Sequence, residues 1–313
     1  MVLNTIKIKL DSKIRDYYIN SGNYYSMRSL QQFLDYFFPS IFEYIILDDN
    51  SKKADISVYD IQLSNNSLLK DDEINMLISV EHLNYWTHYE HYNNYGNYGD
   101  NKINIYLYNH ITEINIDLNN NFIAIPMIYN YINYYLKYDN IIEPSEYTDF
   151  KDKRFCLMIN KSNLNNEIQN YVNILSELGN IDNISLYNDY IQNKSCYHSN
   201  ELLNVMNKYK FILCFENSYG NGYITEKIFN CFFAKCIPIY KGSPIISNYI
   251  NNEAFISLND NINIIEKIKQ INNDEQLFNN IINKSKKSIT YNNEDYKNKL
   301  INFINNNIIK NKI

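Results

Sequence analysis

Apolar and polar residues alternate over residues 5–10, the period of a half-buried strand. Met27, Leu30, Phe33, Leu34 and Phe37 then recur at helical spacing, with Ser26 placed to cap the start and Pro39 closing the segment. Short apolar runs predict strands at 42–47, 55–59, 74–80, 103–108 and 122–127. This half reads as an α/β layer with a central sheet. Charge, Pro144 and a loss of apolar periodicity across residues 138–153 predict a boundary there.

The second half repeats a strand–helix rhythm. Strands are predicted at 155–159, 184–187, 211–215 and 237–240. Between them Ile168, Val172, Leu175 and Leu178 share one helical face, with Gly179 expected as the C′ residue, and helices are predicted at 201–208 and 225–233. Residues 266–313 read as mostly helical and Lys-rich. Strands alternating with helices indicate a parallel sheet covered on both faces. The expected organisation is an N-terminal domain over 1–145, a C-terminal domain over 146–290 and a helical tail over 291–313 that packs back across both. Ligands of such sheets lie beyond the carboxyl ends of the strands, so the polar residues at those ends are the ones to examine.

Composition narrows the function. The 313 residues carry a net charge of −6, which argues against a nucleic-acid binder. Asn, Ile, Tyr and Lys dominate, with 31 Tyr; AT-rich codons account for that bias, and the Asn runs at 118–121 and 305–307 are expected in loops or helix ends. The five cysteines (Cys156, Cys196, Cys214, Cys231, Cys236) form no C-x-x-C pair and read as buried thiols of a reduced compartment. No secretory signal and no long apolar run is seen, so a soluble, cytoplasmic protein without a membrane span is expected. Lys297, Lys299, Lys310 and Lys312 among Ile and Phe would allow weak peripheral membrane association, although a packed helix explains them better.

Residues 211–244 (FILCFENSYGNGYITEKIFNCFFAKCIPIYKGSP) concentrate the chemistry. An apolar strand ends at Phe215; Glu216, Asn217 and Ser218 follow at its carboxyl end; a loop with Gly220 and Gly222 leads to a helix starting near Thr225. The chain has only seven Gly and five Pro, and Gly220, Gly222, Gly242, Pro238 and Pro244 all lie here, which marks demanding backbone geometry. A strand, a Gly loop and a helix N-terminus together form an anion site. Lys227 in the first helical turn opposes the helix dipole unless an anion is present, which points to a diphosphate. Glu226 is placed to accept hydrogen bonds from sugar hydroxyls, and Tyr223 to flank the sugar or pyrophosphate. A solvated Glu–Lys pair on a structural turn accounts for the same residues equally.

The stretch Phe215-Glu216-Asn217-Ser218, Tyr223-Ile224-Thr225-Glu226-Lys227, Ile237-Pro238-Ile239-Tyr240 and Gly242-Ser243-Pro244 resembles the donor-binding signature of glycosyltransferase family 10, the α-1,3/1,4-fucosyltransferases. The resemblance implies a GT-B architecture, two Rossmann-like domains facing a central cleft, with GDP-fucose as donor on the C-terminal domain. It implies that Asn217, Tyr223, Glu226 and Lys227 bind the donor, that transfer inverts the anomeric carbon, and that no cofactor or metal is needed; no D-x-D motif is present. Residues 155–163 resemble the family's first donor-domain strand and its Ser-Asn loop. Where the family places an Arg in the next helix this chain has Gln169, which brings no charge, and Lys161 is the candidate to compensate.

The resemblance also implies a general base, a Glu after a strand of the N-terminal domain. Glu81 fits, following the run 76–80, although Val80 and His82 stand where the family has Gly and Asn. His82 is placed to assist that base, and Trp86, the single Trp, to stack on a carbohydrate acceptor. His88 and His91 lack the partners of a zinc site, so no metal is expected. The expected reaction moves L-fucose from GDP-fucose to a hydroxyl of a glycan acceptor, the 3-OH of N-acetylglucosamine or glucose. A related transferase using another nucleotide-sugar, or a non-catalytic nucleotide- or carbohydrate-binding protein, remains an open alternative.

Overall fold

The computed structural model describes residues 6–10, 44–47, 53–60, 73–79, 103–108, 115–117, 121–138, 142–160, 166–185, 200–259, 263–285 and 293–310. The first sheet contains β1 (Ile6–Leu10), β2 (Tyr44–Ile46), β3 (Ile56–Asp60), β4 (Ile74–Ser79), β5 (Ile103–Tyr108), β6 (Asn115–Asp117) and β7 (Phe122–Pro126). Its seven strands run in the order β2-β1-β3-β4-β5-β7-β6, all parallel except the β6–β7 pair at one edge. The second sheet contains β8 (Arg154–Asn160), β9 (Ile181–Ser185), β10 (Tyr209–Phe215), β11 (Ile237–Lys241) and β12 (Ile256–Ser257). Its five strands run β12-β11-β10-β8-β9, all parallel.

The helices are α1 (Ile128–Tyr138), α2 (Asn166–Ser176), α3 (Asn200–Asn207), α4 (Glu226–Phe233), α5 (Ile264–Asn273), α6 (Glu275–Ser285) and α7 (Asn293–Lys310). None among the described residues is long and apolar enough to cross a membrane. The strands β10 and β11 are apolar on both sides because helices cover both faces. Phe211, Leu213, Ile237 and Ile239 join Leu175 of α2, Ile268 and Ile271 of α5, and Phe278 and Ile281 of α6 in one cluster. Ile212, Cys214 and Tyr240 belong to the other, with Leu203 and Met206 of α3 and Ile228 and Phe232 of α4. Chain order in the second sheet reverses between β8 and β10, since β9 lies on one side of β8 and β10 to β12 on the other. In doubly wound sheets ligands bind at the carboxyl edge beside such a reversal; here α2 and α4 follow β8 and β10, the two strands that flank it.

The second cluster also contains Ile6, Ile8, Val58 and Ile125 of the first sheet, and Leu300, Phe303 and Ile304 of α7. An aromatic seam runs from α1 to α4: the Tyr135 ring lies 5.0 Å from Phe233, 5.5 Å from Phe229 and 5.7 Å from Phe232. Tyr131 stacks on Phe229 at 6.4 Å, and Tyr129 meets Tyr249 edge-on at 5.9 Å. Such pairs add to the stabilisation from area burial. Periodicity did not single out α1 because its sequence, IYNYINYYLKY, is dominated by Tyr, whose apolar ring and polar tip blur an amphipathic pattern.

Two further expectations differ from the structure, and a third is narrowed by it. Gly179 is not a left-handed C′ residue, since among described glycines only Gly222 has positive φ. It faces Phe155 so closely that an added Cβ would lie 2.6 Å from the ring. Of the two placements expected for Asn305 to Asn307, a loop or a helix end, the structure has the second: they lie in the last two turns of α7, where burial of the neighbouring Leu300, Phe303 and Ile304 overrides the weak local preference of Asn. Strand β9 starts at Ile181 because Asp182, which interrupts the apolar run, is held by Tyr209 at 2.8 Å and Arg154 at 3.0 Å. The expected helix with Ser26 as cap, and Cys196, lie outside the described residues.

Cys156, Cys214, Cys231 and Cys236 are buried free thiols. Burial pushes the Cys156 and Cys231 thiols well above their ordinary range, and that of Cys236 to about 12. Nucleophilic attack needs the thiolate. Cys156, Cys231 and Cys236 should therefore resist alkylation at pH 8 in the folded protein and react fully in denaturant, as read by peptide mass mapping. Tyr135→Ala should lower stability by about 3 kcal/mol, the scale for emptying a large aromatic site, measured by denaturant unfolding.

Candidate functional site

The loop from β10 to α4 is shaped by two backbone requirements. Gly222 adopts φ 84°, a left-handed conformation that L side chains rarely take. Its N–H donates to Ser243 Oγ at 3.1 Å, and the Ser243 N–H donates to Tyr240 Oη at 3.1 Å, which ties the loop to the turn after β11. At Gly242 an added Cβ would lie 2.6 Å from Glu216 Cγ and run into the Tyr240 hydroxyl. Glycine is needed there for close approach.

Glu216 is the centre of the arrangement. It sits one residue beyond β10, 3% exposed, and its own N–H donates to the Lys241 carbonyl at 2.9 Å. Its carboxylate accepts the Thr225 N–H at 2.8 Å, the Thr225 hydroxyl at 2.7 Å and the Lys227 ammonium at 3.2 Å. Thr225 is the N-cap of α4, so a protein carboxylate occupies the electropositive start of that helix. Burial pushes the Glu216 carboxyl upward, and Lys227 and the Thr225 donors pull it back. Beside the diphosphate expected as its anion, Lys227 has an anion of the protein's own, the Glu216 carboxylate. Lys227 also bonds Thr225 Oγ1 at 3.0 Å and lies 4.0 Å from Glu226 Oε1. Its side chain keeps 25% exposure, so the cation still reaches solvent.

The other expected residues are distributed as follows. Glu226 is buried beside Lys227 in the first turn of α4, and Asn217 is exposed at the start of the loop. Tyr223 is only 1% exposed, so its ring is buried and lines no open surface. Gln169 is exposed on α2 and donates to Asn173 Oδ1 at 2.9 Å. Lys161, Glu81, His82 and Trp86 lie outside the described residues; β4, the strand preceding Glu81, ends at Ser79.

Sequence reasoning gave no role to Glu216, Thr225 or Ser243. A carboxylate directly after an apolar strand, followed by a Lys in the next helical turn, was the available signal for the Glu216–Lys227 pair. Glu216→Ala should cost about 3 kcal/mol, because it strands the Thr225 amide and the Lys227 charge. Gly242→Ala should cost about 1–3 kcal/mol by overpacking. Both are read by denaturant melts.

Comparison with known proteins places this geometry. The profile of glycosyltransferase family 10 (fucosyltransferase), C-terminal region, matches residues 148–305, just over half of the chain. The Helicobacter pylori α-(1,3)-fucosyltransferase is 40% identical over 81 residues, 26% of this chain and 17% of that enzyme. The Drosophila melanogaster α-(1,3)-fucosyltransferase B is 36% identical over 99 residues, 30% of this chain and 22% of that one. The alignments thus span less than a quarter of either relative. A solved α1,3-fucosyltransferase with GDP-fucose superposes with a TM-score of 0.63 at 18% identity, covering 97% of this chain and 90% of that one. The shared fold is GT-B, two Rossmann-like units. With the family profile spanning the second sheet and the whole Glu216–Lys227 loop, the chain belongs to glycosyltransferase family 10.

Proposed function

We propose that this protein is an inverting α-1,3-fucosyltransferase that moves L-fucose from GDP-fucose to a hydroxyl of a glycan acceptor. The observation that carries the reading is the Gly222 turn leading into the α4 N-terminus, where Lys227 keeps a partly exposed cation beside the buried Glu216. It lies at the carboxyl edge of a doubly wound sheet, where such sheets take nucleotides. The names of the H. pylori and Drosophila relatives support the activity, and GDP-fucose is held by a solved structure of the same fold.

In this reading residues 1–145 form the acceptor side and residues 146–290 the donor side, with the tail 291–313 packing across both. Lys227 and the helix N-terminus stabilise the diphosphate as the bond from the anomeric carbon to the GDP oxygen breaks. Glu216 holds the ammonium in place before the donor arrives. Glu226 accepts hydrogen bonds from donor hydroxyls, Asn217 both accepts and donates, and the buried Tyr223 flanks the sugar or pyrophosphate from within. Glu81 takes the proton of the attacking acceptor hydroxyl, the 3-OH of N-acetylglucosamine or glucose, with His82 beside it and Trp86 stacking on the acceptor ring. Attack from the face opposite GDP gives the inverted product.

The direct test is GDP release from GDP-fucose against an array of N-acetylglucosamine-, glucose- and galactose-containing acceptors. Release with none of them, alongside normal GDP-fucose binding, would leave a binding protein instead. Lys227→Ala should weaken GDP-fucose binding about tenfold, the loss of one charge-assisted contact. Glu81→Gln should leave the donor Kd unchanged and lower kcat by a factor of about 10² to 10⁴. A panel of GDP-, UDP- and CMP-sugars read by thermal shift identifies the donor, since the correct one raises Tm by mass action.

A further inference from the structure

A second cation sits at the same sheet edge, on the opposite face from Lys227. Lys241 ends β11 and is the register partner of Phe215, the residue before Glu216. Glu216 and Lys227 look toward α4; Lys241 looks toward α2. Its ammonium donates to Tyr171 Oη of α2 at 3.3 Å, lies 4.8 Å from the Tyr171 ring and 5.5 Å from the ring of Tyr219 in the β10–α4 loop, and pairs with Glu167 in the first turn of α2. The three elements that hold Lys241 are therefore β11, the start of α2 and the loop before α4, which meet at the carboxyl edge of the sheet, one strand from the β8–β10 reversal.

The ion pair is asymmetric. The Lys241 side chain is 12% exposed, whereas Glu167 is 51% exposed. A cation gripped by two aromatic rings is costly to move, while an exposed carboxylate on a flexible stem contributes little and leaves easily. Burial works against the Lys241 charge, but the bonds to Glu167 and Tyr171 hold the ammonium above its ordinary range. The cation is the fixed member and its anion the exchangeable one. Gln169, two residues after Glu167, is exposed and bonds Asn173, so the positive charge beside this end of α2 is that of Lys241. Tyr219 is 39% exposed beside it, a large ring left open at this edge of the sheet.

We propose that Lys241, framed by Tyr171 and Tyr219, is a second phosphate-binding residue of the donor site: a nucleoside diphosphate laid across the end of β10 engages Lys227 on one face and Lys241 on the other, and its phosphate replaces Glu167. This deepens the donor assignment made above and rests on it. In the absence of donor, Glu167 acts as an internal substitute anion and competes with the ligand.

The competition gives opposite signs for the two members of the pair. Binding of GDP and of guanosine is measured by calorimetry on the full chain, with unliganded Tm taken for each variant. Lys241→Met should weaken GDP binding about tenfold and leave guanosine binding unchanged, and Lys241→Arg should retain most of the affinity. Glu167→Gln should tighten GDP about threefold, because the phosphate no longer displaces a carboxylate. A merely structural pair would move Tm in both variants and leave GDP affinity alone. Unchanged GDP binding in Lys241→Met, or weaker binding in Glu167→Gln, overturns the proposal while the donor site stands. Should Lys241→Met not fold, the sign of the Glu167→Gln effect still decides. A wild-type protein that binds neither GDP nor GDP-fucose removes the donor assignment itself, and this one with it.

Discussion

A carboxylate buried at the end of a parallel strand is costly unless several donors meet it. Glu216 is met by the amide and hydroxyl of the helix cap Thr225 and by the Lys227 ammonium, all within hydrogen-bonding distance. That one group sets the path of the loop, the start of α4 and the position of the cation. The surrounding chain is built to let it in: Gly242 leaves room for its side chain, and Ser243 and Tyr240 lock the adjacent turn. A loop held this way presents its cation without waiting for a ligand to organise it, which lowers the ordering cost of binding.

The packing on either side makes the site rigid. Helix α4 is buried along nearly all of its length, with Phe229, Phe232 and Phe233 covered by the tyrosines of α1. The helix that carries Lys227 thereby also packs against α1, which follows the first sheet in the chain. A nucleotide bound at its N-terminus would be coupled mechanically to the first sheet, whose β4 leads toward Glu81. Tyr, abundant here for compositional reasons, serves well in this seam because its ring packs like Phe while its hydroxyl reaches the polar surroundings.

At the carboxyl edge of the second sheet the protein carries its own anions. Glu216 neutralises Lys227, and Glu167 neutralises Lys241. The two differ in kind. Glu216 is sealed in and remains part of the framework, whereas Glu167 lies at the surface and is held on one side only. In a chain with net charge −6, both lysines at this edge of the sheet are met by a carboxylate of the protein's own.

Much of this was legible before folding. Alternation located β1, and apolar runs of strand length located β3, β4, β5, β7, β8, β10 and β11, to within a residue or two at each end, because a strand covered on both faces, like β10 or β11, must be apolar throughout. The cluster of Gly and Pro marked the loop, and the order of residues from Phe215 to Pro244 gave the family. Partnerships stayed hidden. Nothing local says that Glu216 turns inward to cap α4, that Lys241 meets Glu167 across a gap of more than seventy residues, or that Tyr223 points into the core. Nor did periodicity reveal α1, whose helix is justified by the rings it meets on α4. Sequence order sets which segments are strands or helices, since that depends on near neighbours; which charge answers which, and which ring closes over which, depends on the way distant strands come side by side, and only the folded chain decides it.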